Sequence, residues 1–292
     1  MERRPFGNTG LECSPLGFGA GHIGSPDMSE EAASRLLHTA LDLGVSLIDT
    51  ARGYGLSEER IGRHLAGRRD EFLLASKCGY GIDGHADWTP GCVAAGIDEA
   101  LRRLRTDRID VMLFHSCPGD TLHRDGLVEA LEAAVRAGKV RAAGYSGENE
   151  SLDEALRLGR FRAIETSVNV FDQRGLARGV RRAAAAGLGV IAKRPLANAP
   201  WRFSDCPHGN YCEPYWHRMR AMGLNPGDMP WDELALRFSA YAPGVSCAIV
   251  GTSSEANLRR NAAIAEKGPL APEDAQAVRD AFLACHHWDG QV

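Results

Sequence analysis

The chain has 292 residues, 44% of them hydrophobic and 25% charged, an ordinary globular composition and enough length for an α/β barrel, which needs about 250. Its 34 Lys and Arg against 38 Asp and Glu leave a net charge of −4, so no basic field for nucleic acid or an anionic membrane is present. No apolar run approaches the roughly 20 residues of a membrane span, and Met1-Glu-Arg-Arg lacks the apolar stretch of a signal peptide, so a cytoplasmic protein is expected.

Residues 2–15 read as a short hairpin turning at Asn8-Thr9-Gly10. A strand over Leu16–Ala20 then runs into Gly19-Ala-Gly21-His-Ile-Gly24, which matches G-x-G-x-x-G, and Asp49 follows about 25 residues on, as in a dinucleotide-binding fingerprint. In that fingerprint the third glycine lies inside the helix. Here Gly24-Ser-Pro26-Asp27 intervenes and the helix begins near Glu30, with Ser29 as its cap. A Rossmann-type dehydrogenase using Asp49 on a ribose is the lesser alternative. Ala33, Leu36, Leu37, Ala40 and Leu41 form an apolar stripe at helical spacing, and Gly44 follows where a left-handed residue ends a helix.

Further strands are expected at Ser46–Thr50, Phe72–Lys77, Ile109–His115, Val140–Ser146, Ala163–Asn169, Gly189–Arg194 and Cys247–Val250. Helices lie between them, one starting at Thr89-Pro-Gly and carrying the stripe Val93, Ile97, Ala100, Leu101 and Leu104. Gly138 and Gly187 end two others. Eight strand–helix units without a composition break predict a single-domain (β/α)8 TIM barrel over residues 1–292, with an N-terminal hairpin cap and a C-terminal extra helix around Pro272–His287. Ala197 to Met229 reads as a long loop whose aromatic residues, Trp201, Phe203 and Tyr211 among them, shape the pocket together with Trp88.

Eight cysteines are scattered without a CxxC pair and are expected as free thiols. Cys206-Pro-His208-Gly-Asn-Tyr-Cys212, with His217 behind it, matches no common ligand spacing and reads as a plain loop, as does Cys285-His286-His287; no metal is expected.

The chemistry gathers at strand ends. Asp49, Lys77 and His115 each lie at the end of an apolar run, and Tyr54 follows Asp49 by one loop. An ammonium beside a phenol stabilises the phenolate, an aspartate keeps the ammonium charged and oriented, and an imidazole can share the proton or donate to a substrate oxygen. Such a set suits proton delivery to a carbonyl being reduced. None of the four carries hydride, so a cofactor is required. Each residue alone has a structural explanation, as a cap, a packing ring, a lysine with a buried stem or a core histidine. All four on one barrel face do not.

The motifs Asp49-Thr-Ala-Arg-Gly-Tyr-Gly55, Ala75-Ser-Lys77, Ile109-Asp-Val-Met-Leu-Phe-His115 and Gly138-Lys-Val-Arg-Ala-Ala-Gly-Tyr-Ser146, with Phe6-Gly-Asn-Thr-Gly-Leu11 and Leu16-Gly-Phe-Gly19, resemble the aldo-keto reductase superfamily over nearly the whole chain. The resemblance implies a barrel that binds NADP, or NAD, without a Rossmann domain. It also implies a catalytic tetrad of Asp49, Tyr54, Lys77 and His115 with the tyrosine as acid/base, acting on a small-molecule carbonyl or alcohol. It places Ser146, Glu165 and Lys193 at the nicotinamide end. Glu165 stands where glutamine is usual, Gly147 where asparagine is common, and Lys193 where many members carry a stacking aromatic. Asn169 also matches a family position. The adenosine-phosphate end corresponds to Gly251, Thr252, Ser253, Asn257, Arg260 and Asn261. The basic residues frequent at positions 251 and 257 in NADP-specific members are absent, leaving Arg259 or Arg260 to clamp a phosphate. Two readings from other classes remain: a cofactor-sensing regulatory barrel with little catalysis, and a metal-assisted hydrolase, whose ligand set at strand ends is not found.

Overall fold

The computed structural model describes residues 1–285 and 288–291. Eight parallel strands close into a barrel: β3 (Leu16–Gly19), β4 (Leu47–Asp49), β5 (Leu73–Cys78), β6 (Ile109–His115), β7 (Val140–Ser146), β8 (Ala163–Ser167), β9 (Gly189–Lys193) and β10 (Cys247–Gly251), with β10 pairing back onto β3. Closure rules out the open sheet of the Rossmann alternative and confirms the expected barrel. Before it, β1 (Arg4–Pro5) pairs antiparallel with β2 (Glu12–Cys13), forming the expected hairpin. Its Phe6 is fully buried and joins the apolar side chains that fill the barrel. A Cβ on Gly189 would lie 2.2 Å from the Phe6 ring, so that strand position must stay bare.

Strand periodicity sorts the side chains. Leu47, Leu73, Ala75, Val111, Leu113, Ala142, Ala163, Ile191, Cys247 and Ile249 form the interior cluster, whereas Ile48, Leu74, Met112, Phe114, Ala143 and Ile164 belong to the layer between strands and helices. Successive side chains on a strand point to opposite faces, so the residues two positions beyond this interior set, among them Asp49, Lys77, His115 and Glu165, fall on the interior side at the C-terminal ends.

The helices form as their caps direct. Ser29 accepts from the Ala32 N–H at the start of α1 (Glu30–Asp42), and α2 covers Ser57–Leu65. Thr89 accepts from Cys92 N–H at α3 (Pro90–Leu104). Gly44, Gly138 and Gly187 adopt φ of +81°, +75° and +74°, as a helix-terminating residue requires. Next come α4 (Leu127–Arg136), α5 (Asn149–Leu158) and α6 (Arg181–Ala185). The stretch expected as one long loop contains a ten-residue helix, α7 (Glu213–Met222), started by Pro214 and ended by Gly223 in the left-handed region. Its four prolines suggested loop throughout, but Pro214 sits in the first turn, where no hydrogen bond is lost. α8 (Trp231–Ala240), α9 (Glu255–Glu266) and α10 (Pro272–Leu283) complete the chain. The last ends before the expected His287; of the Cys285-His286-His287 motif, His286 and His287 lie outside the described residues. Among the described residues no helix is long and apolar enough to cross a membrane.

Candidate active site

Asp49 ends β4, Lys77 lies one residue before the end of β5, and the strands bring both into the barrel mouth, 2% exposed each. Lys77 Nζ donates to both Asp49 oxygens, at 2.6 and 2.7 Å, and to the Thr50 carbonyl at 3.0 Å. On the far side it meets Glu165 Oε2, from β8, at 3.5 Å. One ammonium thus faces two buried carboxyls. Burial first, and the Glu165 charge second, push the Asp49 carboxyl well above its ordinary range against the pull of Lys77. Burial acts the same way on Glu165, but Lys77 and Lys193 outweigh it and hold that group below the usual range. Burial also disfavours the Lys77 charge, yet Asp49, Glu165 and Tyr54 overcome it, so Lys77 stays an ammonium. Removing one partner of such a pair typically costs about 3–5 kcal/mol, which makes this cation structural as well as chemical.

Tyr54 lies in the loop between β4 and α2, its ring centroid 5.3 Å from Lys77 Nζ. The loop is held by backbone contacts: Tyr54 N–H donates to Ala51 C=O, and Tyr54 C=O accepts from Ser57 N–H, both at 3.0 Å. Across it, Leu56 N–H donates to Gly24 C=O at 3.0 Å. A Cβ on Gly24 would stand 1.7 Å from the Tyr54 carbonyl oxygen. The third glycine of the apparent dinucleotide motif therefore serves close backbone packing beneath the tyrosine. Burial pushes the Tyr54 phenol up to about 12, with Lys77 pulling down by less. The sequence reading expected the ammonium to dominate; in the folded chain desolvation is the larger effect.

His115, at the end of β6, meets the Tyr54 ring edge-on, with 6.1 Å between centroids. Its Nδ1 lies 2.6 Å from the Tyr80 hydroxyl. Burial, reinforced by Lys77, brings its pKa down to about 4, so the imidazole is neutral at neutral pH. Burial also pushes the Tyr80 phenol up, so it keeps its proton; when that proton is donated to Nδ1, the ring hydrogen is on Nε2. Tyr80 was missed in the sequence, although an aromatic residue three positions past Lys77, beyond the same strand, was a signal of the kind used for Tyr54.

His115, Ser146 and Glu165 share one rung of the barrel, paired His115↔Ser146 and Ser146↔Glu165. The Ser146 hydroxyl donates to Glu165 Oε1 at 3.1 Å, whereas the buried Glu165 Oε2 has no hydrogen-bond partner. Lys193 ends β9 and reaches Glu148 Oε1 at 3.3 Å. Glu148, also missed, accepts from Thr166 Oγ1 (2.6 Å) and from Ser167 N–H and Oγ (2.9 Å each). Asn169 caps its own turn, with Oδ1 accepting from Phe171 N–H at 2.9 Å.

The remaining predicted positions gather at the end of β10 and the start of α9. Gly251 pairs with Gly19, which pairs with Asp49, so two strand spacings of about 4.8 Å separate its rung from the aspartate. Thr252 is buried, its Oγ1 accepting from Ser254 N–H at 3.0 Å; Ser253 and Asn257 are exposed, and Asn261 is buried. Ser254 caps α9 by accepting from Asn257 N–H. Both candidate phosphate arginines have acidic partners: Arg260 forks onto Asp232, with one contact at 2.9 Å, and Arg259 meets Glu255 at 2.7 Å.

A family model described as the Aldo/keto reductase family matches residues 15–282. The chain belongs to the Aldo/keto reductase family. It is therefore an oxidoreductase of the carbonyl-reducing kind. An uncharacterised oxidoreductase of Bacillus subtilis (strain 168) is 26% identical, with 96% of each chain covered. A D-threo-aldose 1-dehydrogenase of Pseudomonas sp is 27% identical over 87% of this chain and 89% of its own. An aldo-keto reductase from Bacillus halodurans, solved in a holo form, superposes with a TM-score of 0.85 at 27% identity, covering 96% of both chains. The aldo-keto reductase fold thus accounts for the barrel and the hairpin cap.

Proposed function

We propose that this aldo-keto reductase interconverts a small aldehyde, ketone or sugar carbonyl and its alcohol, with NADP(H) as cofactor and NAD(H) as the second candidate, and with Tyr54 as acid/base. The observation that carries the reading is the Lys77 ammonium, bonded through two hydrogens to Asp49 and set 5.3 Å from the Tyr54 ring centre. A bound nicotinamide supplies the hydride that none of these side chains can carry. The residues fit such a group: Glu165 Oε2, buried beside Ser146, faces Lys77 at 3.5 Å but accepts no hydrogen bond, and the amide hydrogens of a carboxamide would supply one.

Tyr54, protonated at neutral pH, delivers its proton to the oxygen as charge develops there. Lys77 stabilises the phenolate left behind, and Asp49 holds Lys77. His115, neutral and steadied by Tyr80, offers an N–H to the same oxygen. In the oxidising direction the same groups run in reverse. Thr252, Ser253 and Asn257, around the N-terminus of α9, with Asn261 two turns in, would hold the adenosine phosphates, where a helix N-terminus favours an anion. Arg260 or Arg259 would hold a ribose phosphate by exchanging its surface ion pair, a contact usually worth only about 0–1 kcal/mol.

The test is loss of nicotinamide absorbance with a panel of aldehydes, ketones and aldoses, alongside fluorescence titration of NADPH and NADH. Turnover with tighter NADPH binding is expected. Comparable affinities would overturn the NADP preference, and cofactor binding without turnover on any substrate would replace the enzyme reading with the regulatory one.

A further inference from the structure

The stretch after β9 contains a cluster unrelated to the tetrad. Cys206 and His208 come from the loop, while Glu213 and His217 stand one turn apart on the same face of α7. Sγ of Cys206 lies 3.6 Å from His208 Nδ1, 3.5 Å from His217 Nε2 and 3.7 Å from Glu213 Oε1. Glu213 Oε1 lies 3.1 Å from His208 Nδ1 and 3.7 Å from His217 Nε2. Three donor atoms, Cys206 Sγ, Glu213 Oε1 and His217 Nε2, thus converge on one point, and His208 Nδ1 flanks the first two.

The separations among Cys206, Glu213 and His217 are those of one face of a ligand tetrahedron. Zinc bonds of about 2.0–2.1 Å to nitrogen or oxygen and about 2.3 Å to sulfur put ligand atoms roughly 3.3–3.6 Å apart. A purely hydrogen-bonded explanation is weaker. It asks a thiol and two imidazoles to crowd a single carboxylate oxygen at an exposed site where water competes, His208 being 82% and His217 59% exposed. The carboxylate is also preset: Gly209 N–H donates to its other oxygen, Oε2, at 2.7 Å, the outer contact that orients a metal ligand.

We propose that Cys206 Sγ, Glu213 Oε1 and His217 Nε2 bind one Zn²⁺, with the exposed His208 imidazole turning in as the fourth ligand. A thiolate and a carboxylate neutralise the ion, and two neutral imidazoles complete four protein ligands. That closed set is structural rather than catalytic. The ion ties the loop to the first turns of α7. The same loop carries Tyr211, whose hydroxyl meets Arg194 just beyond β9, so the site braces the wall of the barrel mouth. Sequence spacing hid the site because Cys212 drew attention. Cys212 is fully buried, and the helical Glu213 and His217 supply the remaining ligands.

The test uses the tag-free full chain, stripped with chelator and titrated with Zn²⁺ against a chromogenic competitor, and with Co²⁺ by absorption. One equivalent of zinc per chain is expected, as are cobalt bands of tetrahedral intensity with a thiolate charge-transfer band. Cys206→Ser should abolish that charge-transfer band, and His217→Ala should weaken zinc binding more than roughly tenfold. His208→Ala, at a largely exposed side chain, gives the same readout should either variant fold poorly. Stoichiometry far below one, or cobalt spectra that survive Cys206→Ser and His208→Ala unchanged, would overturn the site.

Discussion

Tyr54 keeps its proton at neutral pH because burial outweighs the pull of Lys77, so in the proposed mechanism it is a donor rather than a standing phenolate. In that mechanism Lys77 acts mainly once the proton has left, when the charge it faces is real. His115 is held neutral by the same burial, and this has a consequence for stability. In the unfolded chain an imidazole titrates near 6.5, in the folded chain at about 4, so between these values the unfolded state binds more protons. Stability from this residue is therefore undiminished above pH 6.5 and falls as pH drops toward 4. Urea midpoints of the wild type and His115→Asn should diverge across that window, the wild type losing more; parallel profiles would show that the imidazole is not desolvated. Carboxylates common to both proteins cancel in the comparison.

At the scale of elements, the position of Tyr54 depends on a short turn ahead of α1 as much as on its own loop. Gly24→Ala places a methyl against the Tyr54 carbonyl, which backbone movement alone can relieve. Displacing a reacting group by about 1 Å costs on the order of a hundredfold in rate. Turnover should fall by that order in Gly24→Ala while cofactor affinity is retained. Gly67→Ala, with nothing within 4 Å of its added methyl, serves as the neutral control. Equal turnover in the two variants would separate Gly24 from the site. Strand ends were the legible part of this chain, because apolar runs that stop at Asp49, Lys77 and His115 carry both the element and the residue. Gly24 was legible only as a motif, and the motif pointed to a different fold. Its meaning comes from a backbone contact with a residue thirty positions away, which no local pattern encodes. Tyr80 and Glu148 lie in loops where the partner, not the spacing, gives the residue its part, and α7 was hidden by prolines that its first turn tolerates.

Across the whole molecule, closure of the sheet turns separate strand ends into one site. β4 supplies Asp49, β5 Lys77, β6 His115, β7 Ser146 and β8 Glu165, and the pairing of neighbouring strands fixes their relative heights. Phe6 and the hairpin fill the opposite end, so the interior is a packed support rather than a channel. The proposed adenosine end is less sharply defined than the proposed nicotinamide end, because Arg259 and Arg260 are already paired and Gly251 and Asn257 carry no charge. Proton delivery by Tyr54 is tested by Tyr54→Phe, which removes one oxygen and leaves the ring over Lys77. Steady-state turnover with NADPH and an accepted aldehyde, measured beside NADPH affinity, should show nearly complete loss of the first and little change in the second. Turnover close to wild type in that variant would contradict the account.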